Sequence, residues 1–300
     1  MTPDQATFDT LRSHAFAVAY KMLGSVSDAE DIVQNAWIRW QRAKDQDIRN
    51  PKAWLTTVVT RLGIDHLRAV KSRRETYIGP WLPDPLVDDD IVSPLAPEPQ
   101  PTAEERMIRA DDISTALLVV LEKLAPEERA AFLLHDAFDF SYPEISDILE
   151  KSQDACRQIV SRARKRVTDN KPRFDASAEE HRKLSHAFYA ALSAGDAQAM
   201  VDLLSEDAVL HTDGGGKAIA ARNLIYGPDR IMRFCLGIAT KVTRELTLEM
   251  KRINGLPGFV AFENGAPFST FSLAVKDGRI ERIYMMRNPD KMHHLGAPGA

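Results

Sequence analysis

The chain has 300 residues, 44% of them hydrophobic and 27% charged, and a formal net charge of −4 at pH 7. This is the composition of a soluble globular protein with two or three domains, each large enough for its own core. No apolar run approaches the length of a membrane span and no signal peptide opens the sequence. These observations exclude a membrane-spanning chain and indicate a cytoplasmic one.

The low net charge hides two basic segments. Residues 61–74 carry five Lys or Arg against one Asp, and residues 151–173 carry eight against two. Each segment could neutralise the phosphates of a nucleic acid. Cys156 and Cys235 lie in apolar-periodic contexts without metal-ligand spacing, so we expect both to be reduced and buried, with no metal and no cofactor.

The first part of the chain has the pattern of a helical bundle. Apolar residues recur at a helical period through residues 4–24 and again through 27–43. Pro51 opens a third helix, which runs into a basic end at 68–74. Residues 1–74 are therefore predicted to form a compact unit of three or four helices.

Residues 75–103 interrupt this pattern with seven prolines and five acidic side chains after residue 80. Proline excludes regular helix and the acids keep a segment solvated, so we predict an interdomain linker, extended in its proline-rich parts. Trp81 is unusual for a free tether. We therefore expect Trp81, Leu82 and Pro83 to dock onto a domain.

Residues 104–171 are predicted to form a second all-helical unit, with helices at about 104–124 and from Pro126. The stretch 141–167 has the pattern of a short helix, a tight turn and a longer basic helix, which is a helix-turn-helix. The second helix could lie in a DNA major groove. The alternative is a helical hairpin with a solvated basic face.

The two faces of this basic helix differ sharply. Ser152 is a plausible N-cap, and Asp154 in the first turn suits the helix dipole. The residues predicted to face inward are Ala155, Cys156, Ile159, Val160 and Ala163. The residues predicted to face outward are Gln153, Arg157, Gln158, Ser161, Arg162, Arg164, Lys165 and Arg166.

From residue 177 to 290 the pattern changes to α+β. Helices are predicted at 178–194, 197–204 and 228–239, with a strand at 209–211. Alternating runs at 243–252, 257–263, 267–276 and 279–286 are then separated by Asn-Gly, Asn-Gly and Asp-Gly dipeptides, which are strong hairpin signals. We expect a curved antiparallel sheet.

The first two units resemble bacterial sigma factors of the extracytoplasmic-function (ECF) type, which have helical regions 2 and 4 joined by a flexible linker. The resemblance rests on four motifs that occur in the family's order and spacing. They are Asp28-Ala29-Glu30-Asp31-Ile32-Val33-Gln34, Asn50-Pro51-Lys52-Ala53-Trp54-Leu55, Asp65-His66-Leu67-Arg68 and Arg162-Ala163-Arg164-Lys165-Arg166.

The resemblance implies a protein that directs core RNA polymerase to promoters, with region 2 reading the −10 element and region 4 the −35 element. It implies contacts with the β′ clamp helices and the β flap, and no enzyme activity. The implied polymerase-binding residues are Asp28, Glu30, Asp31 and Gln34. The implied DNA-binding residues are Asn50, Lys52, Arg61, Arg68, Lys71, Arg73, Gln153, Arg157, Gln158, Ser161, Arg162 and Arg164.

Two positions depart from the family pattern. Glycine is common near position 150, because a left-handed residue ends the first helix of the motif there, and this chain has Glu150. The substitution costs about 1 kcal/mol or signals a different turn. Valine is common at position 156, where Cys156 is expected to act as a small buried apolar residue.

The third unit resembles the SnoaL-like family, which has the cone-shaped α+β fold of nuclear transport factor 2. Sigma factors with this extension form a recognised group, in which the extension is implied to regulate the sigma factor in cis. Three motifs of that group match. They are Trp81-Leu82-Pro83-Asp84-Pro85, Asp213-Gly214-Gly215-Gly216-Lys217 and Asn288-Pro289-Asp290-Lys291.

The alternative function is a SnoaL-like enzyme or small-molecule sensor fused to a DNA-binding module. In the enzyme hypothesis His211, Asp213, Lys217 and Tyr226 line a cavity and supply a general base. In the other interpretation His211 is an ordinary strand residue and the glycine run is a turn or an interdomain contact. A ligand-sensing pocket is a third interpretation, because cone folds enclose apolar cavities.

Overall fold

A computed structural model describes residues 4–43, 48–88, 114–170, 176–241 and 246–296, with the side chains of 71–75, 88 and 170 excepted. The first four residues of the polar loop at 44–50, most of the linker and the first half of the helix predicted at 104–124 lie outside these ranges. The chain divides into two compact units, which are Met1–Thr76 with Val120–Asn170 and Tyr77–Val119 with Lys171–Ala300.

Among the described residues before position 171, the chain forms seven helices. They are α1 (Gln5–Leu23), α2 (Val26–Arg42), α3 (Pro51–Glu75), α4 (Thr115–Glu122), α5 (Pro126–Asp136), α6 (Tyr142–Leu149) and α7 (Gln153–Asn170). Their bounds agree with the helical periodicity to within one or two residues where both ends are described. Among the described residues, none of the helices is long and apolar enough to cross a membrane.

The N-terminal bundle, α1–α3, is built around aromatic side chains. Trp40 is 1% exposed, and its ring lies edge-on to Trp54 at 5.4 Å between centroids and near Phe8 at 6.2 Å. Gly24 ends α1 in the left-handed region with φ 66°, and the Ser25 hydroxyl accepts from the Asp28 amide to begin α2. These tryptophans are therefore core residues of the bundle.

The helix-turn-helix bundle, α5–α7, has its own core. The buried set matches the inward face predicted from the sequence, except that Ala155 is half-buried. The apolar residues that form this core are Ala131, Leu134, Ile145, Ile148, Cys156, Ile159 and Val160. Ser152 caps α7 as predicted, since its Oγ accepts from the Ala155 amide at 3.2 Å.

Glu150 occupies the left-handed region, with φ 55° and ψ 44°, and its amide donates to the Ser146 carbonyl. The turn therefore has the usual geometry of a glycine-ended helix, but with a side chain that disfavours it. Of the two outcomes considered for this position, the structure shows a strained residue rather than a different turn.

Replacing Glu150 with glycine is expected to stabilise the helix-turn-helix bundle by about 1 kcal/mol, because glycine adopts the left-handed region without strain. Urea unfolding followed by circular dichroism measures the change. Glu150→Gln is the matched control: it removes the exposed ion pair with Arg61 but keeps the strain, and should change stability by less than about 0.5 kcal/mol. Equal stability of the glycine and glutamine variants would contradict the strain argument.

Within the described residues, the second unit has three α-helices after position 175 and a seven-stranded sheet, and this confirms the predicted α+β class. The helices are α8 (Ala178–Ala194), α9 (Ala197–Leu203) and α10 (Pro228–Ala239). The strands are β1 (Val87–Asp88), β2 (Leu204–Asp213), β3 (Ile225–Tyr226), β4 (Leu246–Ile253), β5 (Leu256–Glu263), β6 (Ala266–Lys276) and β7 (Arg279–Met286).

The sheet has the order β1-β4-β5-β6-β7-β2-β3, with β2 parallel to β7 and all other neighbours antiparallel. The three predicted turns connect the consecutive strands β4, β5, β6 and β7. Both residues of each dipeptide have positive φ, as type I′ turns require. Strand β2 is longer than the predicted 209–211, because an irregular register between Leu204 and Val209 hides the alternation of its first half.

The two faces of the sheet have different coverings. The concave face packs against α8 and α10 through a core that includes Phe188, Ile231, Phe259 and Phe271. On the opposite face, Leu82 and Ala116 pack against Ala274, Tyr284, Met286 and Met292. The described part of the linker, residues 77–88, is thus part of this unit's structure, and its short strand β1 extends the sheet beside β4.

Candidate nucleic-acid interface and linker anchor

The predicted polymerase-binding residues of α2 differ in their surroundings. Glu30 forms an ion pair with Arg12 at 2.6 Å, and half-buried Asp28 lies 3.4 Å from the His66 imidazole. Asp31 and Gln34 are exposed and lie three residues apart on one face of the helix. Asp31 and Gln34 are therefore the members of the predicted set that are open to a partner in this conformation.

The basic residues predicted on α3 have varied surroundings. Asn50 caps the helix, since its Oδ1 accepts from the Ala53 amide at 3.1 Å, and Lys52 is exposed. Arg61 donates to the carbonyls of Asp147 and Ile148 at the end of α6, at 2.7 and 3.0 Å. The side chains of Lys71 and Arg73 lie outside the described residues.

Arg68 is also engaged within the first unit, by an ion pair with Glu127, which in turn lies 3.1 Å from Lys151. The two cations lower the pKa of Glu127, with the Lys151 hydrogen bond as the largest cause. Nearby, the buried Arg129 donates to the Met22 carbonyl at 2.7 Å. The α3 cations thus hold the two helical bundles of this unit together.

The outer face of α7 is open to solvent. All six of its predicted DNA-binding residues are exposed, and they are Gln153, Arg157, Gln158, Ser161, Arg162 and Arg164. Arg157 pairs with Asp154, which is 87% exposed, and lies 5.3 Å from the Tyr142 ring centre. Arg164 is held more firmly, because Asp136 accepts two hydrogen bonds from its Nε at 2.9 and 3.0 Å.

In the second unit, the carboxylate of Asp213 is the centre of a group of contacts that we term the linker anchor. It is fully buried and accepts from the Tyr77 hydroxyl at 2.6 Å, the Leu82 amide at 2.9 Å and the Gly215 amide at 3.0 Å. The Lys291 ammonium lies 2.9 Å from Oδ2, the oxygen that also accepts from the Leu82 amide. Two linker groups and one C-terminal cation therefore meet on a single carboxylate.

The rest of the linker anchor surrounds this centre. Lys291 also donates to the Leu82 carbonyl and lies 4.3 Å from the Trp81 ring centre. Pro83, Asp84 and Pro85 are buried, and the Pro85 carbonyl is 2.8 Å from His294 Nε2. Burial, and then the hydrogen bond to Asp213, raise the pKa of Tyr77, so its hydroxyl remains a donor.

The glycine run is a turn that packs closely against the C-terminal segment. Gly215 and Gly216 have positive φ, and a Cβ on Gly215 would collide with the Asn288 side chain. A Cβ on Gly214 would lie only 2.6 Å from the Ala218 carbonyl oxygen. Lys217 pairs with Asp290 on the surface, while Pro289 begins a 3₁₀ turn that leads to Lys291.

Sequence reasoning missed Tyr77, Asn254 and Thr115 as parts of the linker contacts. Asn288 donates to the Tyr77 hydroxyl at 2.9 Å, and Asn254 exchanges backbone and side-chain hydrogen bonds with Leu86. Thr115 lies 3.3 Å from both Asn254 and Ser272. The available signal for Tyr77 was its position just before the Trp81 motif.

The four residues of the enzyme hypothesis do not meet in a cavity. Asp213 is enclosed by the linker, and the His211 ring lies tilted against the Tyr284 ring at 5.0 Å between centroids. Lys217 is at the surface and Tyr226 is 58% exposed. A cavity of about 410 Å³ does lie on the concave side of the sheet, and other residues line it, including Tyr189, Leu192, Cys235, Ile238, Phe271 and Met285. We term it the concave cavity.

Comparison with known proteins identifies the family. Residues 7–74 match the Sigma-70 region 2 model, and residues 114–167 match the Sigma-70 region 4 model. The ECF RNA polymerase sigma factor SigJ of Mycobacterium tuberculosis is 40% identical, across 97% of this chain and 93% of SigJ. The chain belongs to the ECF RNA polymerase sigma factors.

The similarity of this sigma factor to its relatives includes the C-terminal unit. The crystal structure of Mycobacterium tuberculosis SigJ matches 99% of this chain and 100% of that one, with a TM-score of 0.75 and 35% identity. The probable ECF sigma factor SigI of the same organism is 29% identical over 98% of this chain. The family implies core RNA polymerase and promoter DNA as partners, and it does not favour the enzyme alternative.

Proposed function

We propose that this sigma factor carries core RNA polymerase to its promoters through two separate surfaces and that its C-terminal unit controls it in cis. The linker anchor is the observation that supports the control: a fully buried carboxylate takes hydrogen bonds from Tyr77 and Leu82 of the linker. A linker held in this way limits the freedom of the two promoter-reading regions that it joins.

The polymerase contact is proposed for the exposed acidic face of α2. Asp31 and Gln34, with Asp28 and Glu30 beside them, present a negative surface on a rigid helix, which suits a basic partner such as the β′ clamp helices. The negative surface of α2 cannot itself bind phosphate. The helix-turn-helix bundle would contact the β flap.

The promoter contact is proposed for α3 and α7. Lys52 and the start of α3 would hold the −10 strand. Binding of a flipped base of that strand would offset the free energy of unstacking it. Arg157, Gln158 and Ser161 would read −35 base edges, while Gln153, Arg162 and Arg164 would position the backbone. Arg61 and Arg68 would first exchange their present partners, the α6 carbonyls and Glu127, for phosphates.

Transcription in vitro tests these proposals together. Core polymerase with the full chain and a randomised promoter library is expected to yield transcripts enriched for two separated sequence blocks, whereas core polymerase alone yields none. Removing 177–300 should change the amount of transcript. A rise indicates that the C-terminal unit only inhibits. If the rest of the C-terminal unit also helps, complete removal should leave less activity than removal of 288–300 alone.

Two outcomes would contradict the proposal. Absence of sequence enrichment with every form of the chain would overturn promoter recognition. Equal output from the full chain and from both truncated chains would overturn regulation in cis while leaving promoter recognition intact. Each truncated chain needs a circular dichroism spectrum beside the activity, because loss of helix would lower output without any regulatory cause.

A further inference from the structure

The concave cavity is well formed and distinct from the linker anchor. Its volume of about 410 Å³ lies within the range of about 300–1,000 Å³ that is typical of small-molecule sites. Its deepest lining residues, Cys235, Phe271 and Met285, are at most 3% exposed. Ser193 and Leu246 also line it and are exposed, so they mark its opening to solvent.

The polar atoms of the cavity wall already have partners. The Tyr189 hydroxyl donates to the Leu248 carbonyl at 3.0 Å, and the Ser269 hydroxyl donates to the Met286 carbonyl at 2.8 Å. Burial raises the pKa of the Cys235 thiol to about 12, so it remains neutral. Among the described residues, those lining the cavity include no charged side chain.

The described wall favours uncharged ligands. A carboxylate or ammonium group that entered the concave cavity would lose its water and find no opposite charge among the described lining residues, and such a transfer is strongly unfavourable. An apolar molecule would gain contacts with Leu192, Ile238 and Phe271 instead. A cavity of about 150 Å³ holds benzene, so the space here is enough for about two fused rings or a ten-carbon chain.

We propose that the concave cavity binds an uncharged apolar small molecule and that its occupancy tightens the linker anchor. The second part rests on the proposed regulation in cis. Strands β6 and β7 separate the two sites: Phe271 and Met285 face the cavity, and Tyr284 and Met286 face Leu82 of the linker. A bound molecule supports the cavity face of both strands and so stabilises the surface on which the linker docks.

Calorimetric titration of the full chain tests the binding. The probes are 1-decanol and decanoate, both below their aggregation limits at pH 8, where the carboxyl group is ionised. Decanol is expected to bind with at least a tenfold advantage. Equal affinity for the two probes, or absence of decanol binding, would overturn the proposed selection by charge.

A pair of adjacent substitutions locates the binding. Ser193→Trp places an indole at the mouth of the cavity and should weaken decanol binding at least tenfold. Ala194→Trp is the matched control, because Ala194 is exposed and does not line the cavity. Both variants should melt within a few degrees of the parent. Equal decanol binding by the two variants would place the probe elsewhere and overturn the assignment.

Hydrogen exchange measures the effect on the linker. Decanol is expected to slow exchange at least threefold in the peptide containing Leu82, whose amide donates to Asp213. Unchanged or faster exchange would overturn the coupling between the two sites. Neither measurement involves polymerase, so these results and the transcription results succeed or fail independently.

Discussion

Replacing Asp213 with alanine is expected to lower the free energy of unfolding of the C-terminal unit by about 3 kcal/mol and to release the linker. Removing one partner of a buried ion pair leaves the other charge without compensation, which costs about 3–5 kcal/mol. The lower figure applies because the Lys291 side chain is 12% exposed and can still reach water. The Leu82 amide and the Tyr77 hydroxyl lose their acceptor as well.

Hydrogen exchange across a urea series measures both effects of Asp213→Ala, since peptides of β6 and β7 report the unit and peptides near Leu82 report the linker. Asp290→Ala is the matched control. It removes an acid from the C-terminal turn that carries Lys291. The Asp290 side chain is 59% exposed, and its pair with Lys217 contributes less than about 1 kcal/mol.

The two variants should also differ in promoter output in transcription in vitro. Asp213→Ala is expected to change promoter output in the same direction as complete removal of 177–300, because both free the linker. Asp290→Ala should leave output near that of the parent. If hydrogen exchange near Leu82 is as slow in the Asp213 variant as in the parent, the Asp213 carboxylate does not hold the linker.

Replacing Arg157 with alanine is expected to weaken promoter binding by about 1–3 kcal/mol at the preferred base pair and to relax the choice of base there. Arginine can make two hydrogen bonds to a guanine edge, and their loss removes discrimination at that one position. The present pair of Arg157 with the exposed Asp154 does not oppose this role, because exposed ion pairs contribute little and are easily exchanged.

Competition binding by the polymerase holoenzyme to promoters with single base-pair changes measures this effect. Lys165→Ala is the control: Lys165 is exposed on the same helix, and a lysine that contacts phosphate weakens binding by a similar amount for every sequence. The salt dependence of binding should fall for the lysine variant. A uniform loss across all promoters for Arg157→Ala would show that this residue contacts the backbone.

Most elements of the fold follow from local sequence. Helical periodicity, Gly24 as a helix end and Ser152 as a cap define the two helical bundles, because each signal acts over one or two turns of chain. The Asn-Gly and Asp-Gly turns define the hairpins of the sheet in the same way. The four sigma motifs, read in order, were enough to predict the family.

Only the tertiary structure decided which of the predicted functional side chains are held by another helix. Arg61, Arg68 and Arg164 each contact a carbonyl or a carboxylate on a different helix of the first unit. Arg157 carries the same charge but pairs with the exposed Asp154 of its own helix. The charge of a side chain follows from its residue type alone. Its partner is set by packing between helices that are far apart in the chain.

The C-terminal unit shows the same division. The sequence by itself predicted that the Trp81 motif docks, since an exposed tryptophan is costly, and it allowed the glycine run to be a turn, since glycine permits positive φ. It did not place Asp213 at the centre of the linker anchor or exclude it from the concave cavity. Those outcomes depend on a hydrogen bond between residues 131 positions apart, for which no local pattern exists.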